Sequence, residues 1–348
     1  DCQWIQKLHS LGLLTSSFLP DLATEQLRTY CRHRTSLLET AAMTTQKMQK
    51  YLRLLNLRLD IVVKDVVGLT GMSIIEAICQ GETDPQKLAS LRHGNCRKSE
   101  EEIAKALQSN GRKDYLFGLE QELALYKVVQ EKIELCDKEI EKLLKEQIQA
   151  DETKKSLATQ AKPHKRVNKN APKNMDLNQL SYQYFEGVDL LQIEGVSHGT
   201  VIALMSEVGP EGIRKFDSAK QFACWLRLAP NTKISGGKVL SNRIPKGSNR
   251  LKIALRQAAN AIGNLKDTHL SDFFRRIAFK RGRTAAVSAT ARKLAVIIWN
   301  MLVKHQPYNP PSQYLFLDQK RKMKLVQKIR KKIAKLDLKP EELGFATA

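Results

Sequence analysis

Residues 117–148 read FGLEQELALYKVVQEKIELCDKEIEKLLKEQI and carry the clearest periodicity in the sequence. Apolar or aromatic side chains recur at a seven-residue spacing, with leucines in the partner positions: Leu119, Tyr126, Ile133 and Ile140, then Leu123 and Leu144. This heptad pattern predicts a coiled-coil-like helix, although Gln130 and Asp137 stand where the seam should be apolar. The apolar stripe can pack within its own domain or against a second copy of the chain, and the pattern leaves both open.

The sequence upstream of this stretch predicts further helices. They cover the following segments: 1–9, 22–59, 72–80, a short helix opened by Asp84-Pro85, and 99–108. Pro85 suits the first position of a helix, and Ser99 with Glu102 three residues later forms a capping box. A β-branched run at 61–68 interrupts the helical pattern.

Composition divides the chain at residues 151–175. This segment lacks apolar periodicity and holds Pro163 and Pro172 among many lysines, which is typical of a linker. We therefore expect four successive parts after residue 60: a helical and coiled-coil region over 61–150, a basic linker over 151–175, a compact and mostly helical domain over 176–310, and a basic tail over 311–348.

Positive charge is concentrated in the second half of the chain. The 348 residues include 58 Lys and Arg against 36 Asp and Glu, a net charge of +22. Residues 1–150 carry 21 basic and 21 acidic side chains, so residues 151–348, with 37 and 15, hold the whole surplus. Such a basic half indicates an anionic polymer as its partner. Within the tail, residues 321–335 contain many cations and no acid, and they form either a solvated helix or a nucleic-acid contact.

Other protein classes fit the sequence poorly. The longest apolar run, near 294–303, is about half of the roughly 20 residues that cross a bilayer, so we expect no membrane partner. The six cysteines form no C-x-x-C pair and no metal-finger spacing with His, which favours a reduced cytosolic compartment. The chain starts at Asp1 without a methionine, so we expect a piece of a longer protein.

A glycine-rich turn interrupts the apolar residues of 191–209. Gly195 and Gly199 bracket this turn, and the pattern resembles a helix-hairpin-helix, in which glycines let backbone N–H groups approach a phosphate. A plain turn between two packed helices explains the same pattern equally well. His198 lies in the turn, and we assign it no catalytic role.

The segment 222–259 is the strongest candidate for chemistry. The tight turn ISGG (234–237) places Ser235 beside glycines, where no side chain blocks the approach of a phosphate. Most serines in such turns only serve the turn, and Ser241 and Ser248 are competing hydroxyls, the latter also a helix N-cap. Between residues 231 and 305 there are 16 basic residues and two acids. Seven residues are expected to contact nucleic acid: Lys233, Lys238, Arg243, Lys246, Arg250, Gly195 and Gly199.

The order of these segments resembles transposases of the bacterial insertion-sequence family IS110, with its IS1111 and IS116 relatives, which are bridge-RNA-guided DNA recombinases. The stretch DCQWIQKLHSLGLL (1–14) is similar to the end of the family's RuvC-like domain. The stretch VVGLTGMSIIEAI (66–78) is similar to the start of its middle helical insertion. Residues 191–209 and 225–256 are similar to its C-terminal transposase domain.

The resemblance implies a mainly α fold. Residues 1–60 would be the remnant of an α/β RuvC-like (RNase H-like) domain, three of whose four metal-binding carboxylates would lie upstream. A helical and coiled-coil insertion and a helical transposase domain with a helix-hairpin-helix-like motif would follow.

The resemblance also implies the site residues. The fourth carboxylate begins a D-x-x-W segment that Asp1 matches, so Asp1 is expected to bind Mg²⁺ and to take part in catalysis. Ser235 matches the serine that attacks DNA and forms a covalent phosphoserine link. Many members read I-S-K-R-G where this chain has IPKG (244–247), which predicts different contacts downstream.

The expected function is therefore DNA transposition by an insertion sequence, with DNA and a guide RNA as partners. A homodimer assembling to a tetramer in the bacterial cytoplasm, at the nucleoid, is expected from the coiled coil and the resemblance. Two alternatives stay open: a non-catalytic helical protein that binds nucleic acid, and an inactive, truncated copy of a transposase.

Overall fold

The computed structural model describes residues 1–14, 18–157, 168–173, 175–247, 249–266, 268–310 and 315–336, with the backbone alone over 315–322. Within these residues the chain is mainly α-helical, as predicted, with a single two-stranded sheet. The helices of the first half are α1 (Cys2–Ser10), α2 (Leu22–Leu54), α3 (Leu59–Val62), α4 (Leu69–Cys79), α5 (Pro85–Ser90), α6 (Glu100–Ala106), α7 (Lys113–Gln149) and α8 (Glu152–Lys155). The elements of the second half are α9 (Leu177–Tyr184), α10 (His198–Glu207), α11 (Gly209–Arg214), α12 (Ala219–Trp225), β1 (Asn231–Ser235), β2 (Lys238–Arg243), α13 (Arg250–Ile262), α14 (His269–Arg281), α15 (Arg283–Val303) and α16 (Leu315–Lys335).

The chain divides into two compact units. The hairpin unit consists of residues 21–155 and 168–180, and the bundle unit of residues 1–20, 156–167 and 181–348. Helix α2 packs against α7 within the hairpin unit, and the domain limits expected at residues 60 and 150 stay predictions. Residues 1–14 and 18–60 contain helices and loops without a strand, so the α/β remnant expected there stays a prediction.

Two long antiparallel helices, α2 and α7, form the hairpin unit. Lys47 pairs with Glu122 across them at 3.1 Å, and a Cβ on Gly118 would meet the Tyr51 ring at 2.5 Å. The predicted heptad helix is confirmed, and the leucines and isoleucines of its stripe are buried in this unit: Leu119, Leu123, Ile133, Ile140 and Leu144. The structure therefore supports the first alternative for the stripe, packing within the chain.

Asp137, one of the two polar residues in the expected seam, is buried in the hairpin unit. It forms an ion pair with the buried Arg34 of α2, and its Oδ2 accepts a hydrogen bond from the Lys173 backbone N–H at 3.0 Å. The Arg34 guanidinium also donates to the Asn170 carbonyl at 3.0 Å. The Arg34–Asp137 pair thus neutralises the carboxylate inside the seam and holds residues 168–173 on the hairpin.

The short helices α3 to α6 pack at one end of the hairpin. The long helix predicted over 22–59 ends early, at Leu54, because Asn56 adopts a left-handed conformation (φ 63°) and its side chain donates to the Gln108 carbonyl at 3.0 Å. The β-branched run at 61–68 forms the end of a helical turn and a loop. The cap of α5 at Asp84-Pro85 and the capping box of Ser99 are confirmed.

The bundle unit is organised around α15, which packs against α11, α12, α13 and α14. The Trp299 indole N–H donates to the Phe216 carbonyl at 3.2 Å and fastens α15 to a cluster of aromatic rings. That cluster contains Phe18, Phe216, Phe222 and Trp225. By length and hydropathy α15 could cross a membrane, but 61% of its most apolar window is buried within the chain, which is typical of a core helix.

Candidate nucleic-acid interface

The two strands form a short antiparallel ribbon in the middle of the basic half. Strand β1 ends at Ser235 and β2 starts at Lys238, so a two-residue loop joins them. Both loop residues, Gly236 and Gly237, have left-handed backbones (φ 53° and 72°), which the tightest hairpin turns require and other residues rarely adopt. The tight turn predicted at 234–237 is confirmed. The strands on either side of it were not predicted.

The ribbon has one cationic face. Residues alternate across a regular strand, and directly paired residues share a face. The register of this ribbon shifts between Lys233 and Ile234, where β2 has Leu240 as an extra residue, so the pairs assign the faces. Ser235 pairs with Lys238, and Lys233 pairs with Ser241. The next pair on this face joins Asn231 to Arg243. One face therefore presents the expected nucleophile together with three of the expected cations.

The opposite face of the ribbon carries apolar and amide side chains. The Thr232 hydroxyl donates to the Asn242 side-chain carbonyl at 2.9 Å, which ties this face together near the base of the ribbon. Toward the tip, Ile234 and Val239 pair and are 63% and 60% exposed, and Leu240 beside them is 69% exposed. The ribbon thus contributes apolar surface to solvent and not to the core.

Ser235 is the last residue of β1 and is exposed. A Cβ built on Gly236 or Gly237 would meet no atom within 4 Å, so the space beside the serine is open. An anion of the size of a phosphodiester can reach the hydroxyl from this side, with Lys233 and Lys238 on the same face to balance its charge.

The base of the ribbon is fixed by two cations of the bundle. The Arg227 guanidinium donates to the Lys246 carbonyl at 2.5 Å, and the Lys252 ammonium donates to the Pro245 and Gly247 carbonyls at 3.3 and 3.5 Å. Burial lowers the pKa of Lys252, and the nearby charges of Arg256 and Arg227 lower it further. These side chains hold the backbone at the base of the ribbon.

Helix α13 begins just after this base. Its N-cap is Asn249, whose side chain accepts a hydrogen bond from the Lys252 backbone N–H at 3.1 Å. Ser248, named above as a competing hydroxyl and N-cap, lies outside the described residues. Lys246 and Arg250 are exposed on either side of it, as nucleic-acid contacts require.

Gly195 and Gly199 have different surroundings. Before the turn the chain forms only a three-residue 3-10 helix, Leu190–Gln192, so the first helix of the expected motif is not seen. A Cβ on Gly195 (φ 76°) would lie 2.5 Å from Ile262 Cγ1 and 2.8 Å from the Ala258 carbonyl oxygen. Gly195 therefore serves close packing against α13, whereas a Cβ on Gly199, inside α10, would make only an ordinary contact with the Ser197 hydroxyl at 3.8 Å.

Asp1 lies apart from the ribbon in sequence and stands at the N-cap of α1, where it is exposed and makes no capping hydrogen bond. The described residues contain no group of three or more His, Cys, Asp or Glu side chains that could hold a metal ion. Mg²⁺ is usually held by one or two carboxylates together with waters and substrate phosphates, so Asp1 would supply one such ligand and the Mg²⁺ site stays a prediction.

Comparison with known proteins places a family match on this region. Residues 189–275 match the model of the Transposase IS116/IS110/IS902 family. A "Probable family 20 transposase" of Pseudomonas aeruginosa is 29% identical over 126 residues, which cover 35% of this chain and 36% of that protein. The match thus spans about a third of the relative's length. Over the part of the bundle unit that carries the ribbon, the chain is similar to transposases of the IS110 type of insertion sequence.

Proposed function

We propose that the chain acts as a DNA transposase that cuts and rejoins strands through a covalent phosphoserine formed at Ser235. The observation that carries the proposal is the position of Ser235: it is exposed beside two glycines and shares a face with Lys233, Lys238 and Arg243. The family match over residues 189–275 includes the whole ribbon and supports the transposase part of the proposal.

The proposed step is a transesterification. The Ser235 Oγ attacks the phosphorus, a serine oxygen–phosphorus bond forms, and one phosphorus–oxygen bond to a sugar breaks. The serine loses its proton and the departing sugar oxygen gains one, so no oxidant or energy source is consumed. A hydroxyl of another strand then reverses the exchange, rejoins DNA and releases the serine.

The cations of the ribbon would act in binding and in the transition state. Lys233 and Lys238 neutralise the phosphodiester, whose negative charge increases as the fifth oxygen approaches. Arg243, at the base of the same face, would bind the flanking phosphate. Lys246 and Arg250 would extend the contact toward α13.

Further elements of the proposal rest on the resemblance, and the cytoplasmic location rests also on the spacing of the cysteines. They are a guide RNA as second partner, Mg²⁺ with Asp1 among its ligands, a homodimer assembling to a tetramer, and action in the bacterial cytoplasm. Because the apolar heptad stripe of α7 is buried within the hairpin unit, the heptad pattern no longer supports a dimer.

A denaturing gel tests the nucleophile. The protein, with Mg²⁺ and the RNA that co-purifies with it, is incubated with labelled donor and target DNA. We expect a covalent protein–DNA adduct that disappears in Ser235→Ala and persists in Ser241→Ala, the matched control on the same face. An adduct that survives in Ser235→Ala would overturn the assignment, and tight binding without any adduct would favour a non-catalytic binder or an inactive copy.

A further inference from the structure

Phe279 is 93% exposed on α14, more than any other large apolar side chain in the described part of the chain. Phe274 on the same helix is buried, and it anchors α14 to the bundle. Phe279 lies about 140° around the helix from Phe274, as the 3.6-residue period dictates, and therefore points away from the core. It lies beyond the residues that match the transposase family.

The surroundings of Phe279 are strongly cationic. Five basic residues lie within four positions of it: Arg275, Arg276, Lys280, Arg281 and Arg283. The sequence has no acid from residue 273 to residue 304, and Asp272, the last acid before it, is buried. An anionic ligand therefore meets no acidic side chain from its own helix or from α15 beside it.

Part of this cationic group is held rigidly. The Arg275 guanidinium donates to the Leu265 carbonyl at 2.5 Å, and that of Arg283 donates to the Asn260 side-chain oxygen at 2.7 Å. Arg276, Lys280 and Arg281 are exposed. Residues three or four apart on a helix are roughly 5–6 Å apart at Cβ, so Arg276 is a neighbour of Phe279 on the helix surface. Its guanidinium lies over the Phe273 ring, 5.7 Å from the ring centroid. The surface thus offers one flat apolar ring with exposed cations near it on the same helix.

This combination distinguishes two kinds of nucleic acid. The backbone of a duplex needs only cations, and its bases are stacked on each other and unavailable to a ring on a helix surface. An unpaired nucleotide offers both a flat base and a phosphate, and aromatic side chains stack on such bases whatever their sequence. We propose that Phe279, with Arg276 and Lys280, is a stacking site for an unpaired base of single-stranded DNA. The choice of DNA rests on the proposed function, since cutting and rejoining releases unpaired strands.

Binding of short oligonucleotides tests the site in the full chain. Loss of one stacked base should weaken binding of a fluorescein-labelled oligothymidylate to Phe279→Ala by about 5- to 150-fold. Binding of a duplex of the same length should change less than about twofold, because the cations remain. Phe279→Trp should bind as the native chain does, and its added tryptophan fluorescence should be quenched by the oligothymidylate.

Phe117→Ala is the matched control, since Phe117 is also an exposed phenylalanine, on α7 in the hairpin unit. It should leave both affinities unchanged. Single-strand affinity that is unchanged in Phe279→Ala would overturn the stacking site, and so would equal losses on single strand and duplex. A loss confined to oligouridylate RNA would overturn the choice of DNA.

These outcomes are separable from the test of Ser235. If Phe279→Ala binds normally while the Ser235-dependent adduct forms, the stacking site fails and the transposase proposal stands. If the native chain binds neither single strand nor duplex, both fail.

Discussion

The α2–α7 hairpin and the β1–β2 ribbon each combine polar and apolar residues in one short pattern. In the hairpin the polar residue is buried with an internal partner, whereas in the ribbon both kinds of residue are exposed. In the hairpin, Asp137 interrupts an apolar seam and is matched by Arg34 on the facing helix. In the ribbon, Lys233 and Ser235 alternate with Ile234, and both faces are exposed. A polar residue with an internal partner serves the fold, whereas polar and apolar groups left exposed together are available to a ligand.

The charge distribution follows the same division. The first 150 residues balance their charges, and the hairpin unit uses several of them in ion pairs such as Lys47–Glu122 and Lys127–Glu76. The ribbon lies in the half that holds the whole surplus of +22, and its expected cations Lys233, Lys238 and Arg243 are exposed. Changes in the hairpin should therefore alter stability, and changes in the ribbon should alter binding.

The largest effect is expected from Asp137→Ala. The change leaves the Arg34 guanidinium buried without its carboxylate and removes the acceptor of the Lys173 N–H. Breaking one side of a buried ion pair typically costs about 3–5 kcal/mol. Urea unfolding followed by circular dichroism should show this loss in the free energy of unfolding.

The control is Lys127→Ala, which breaks an exposed ion pair with Glu76 (2.6 Å) in the same unit. Exposed pairs contribute about 0–1 kcal/mol, so this variant should unfold almost as the native chain does. Similar small losses in both variants would mean that Asp137 is not a structural residue, and the contrast with the ribbon would fail.

A smaller effect is expected from Gly195→Ala. A left-handed backbone costs a residue with a Cβ about 1–2 kcal/mol, and the added methyl would overlap Ile262 and the Ala258 carbonyl. Together with overpacking, we expect a loss of about 2–4 kcal/mol in the free energy of unfolding. Gly199→Ala, inside α10 and with only an ordinary contact to Ser197 at 3.8 Å, should be neutral or slightly stabilising.

Both glycines were expected to contact nucleic acid, so the pair also tests that reading. If Gly195 serves packing alone, the Gly195→Ala variant should bind DNA with native affinity at every salt concentration at which it stays folded. Reduced affinity in a folded Gly195→Ala variant would restore its role as a phosphate contact.

Periodicity predicted much of the hairpin unit but not its packing. The heptad spacing of 117–148 and the capping box of Ser99 are local patterns, and both appear in the structure. The pattern could not say what covers the stripe, because α2 is about a hundred residues upstream. Arg34 and Asp137 are 103 residues apart, and neither has a neighbour in sequence that marks it as half of a pair.

The ribbon illustrates the other limit. Two glycines flanked by alternating residues are a hairpin signal, yet the flanking strands hold lysines and serines and lack the apolar alternation of a buried sheet. The role of Gly195 could not be decided from the sequence, because a glycine permits the close approach of either a phosphate or a neighbouring helix. Only the position of Ile262 distinguishes these two roles. The exposure of Phe279 depends on how α14 packs against the rest of the bundle, which no local pattern records.

The smallest effect, and the most direct test of the ribbon, is expected from Lys238→Ala. Each phosphate contact releases about one counterion, so the slope of log affinity for duplex DNA against log salt should fall by about 1. The structure of the chain should not change, because Lys238 is exposed and has no part in the core.

Lys98→Ala, which removes an exposed lysine from the balanced half, should leave the slope as it is. If both variants lower the slope equally, DNA is attracted by the net charge of the chain and not by the ribbon. If only Lys238→Ala does so, the exposed face beside Ser235 is where the phosphate lies.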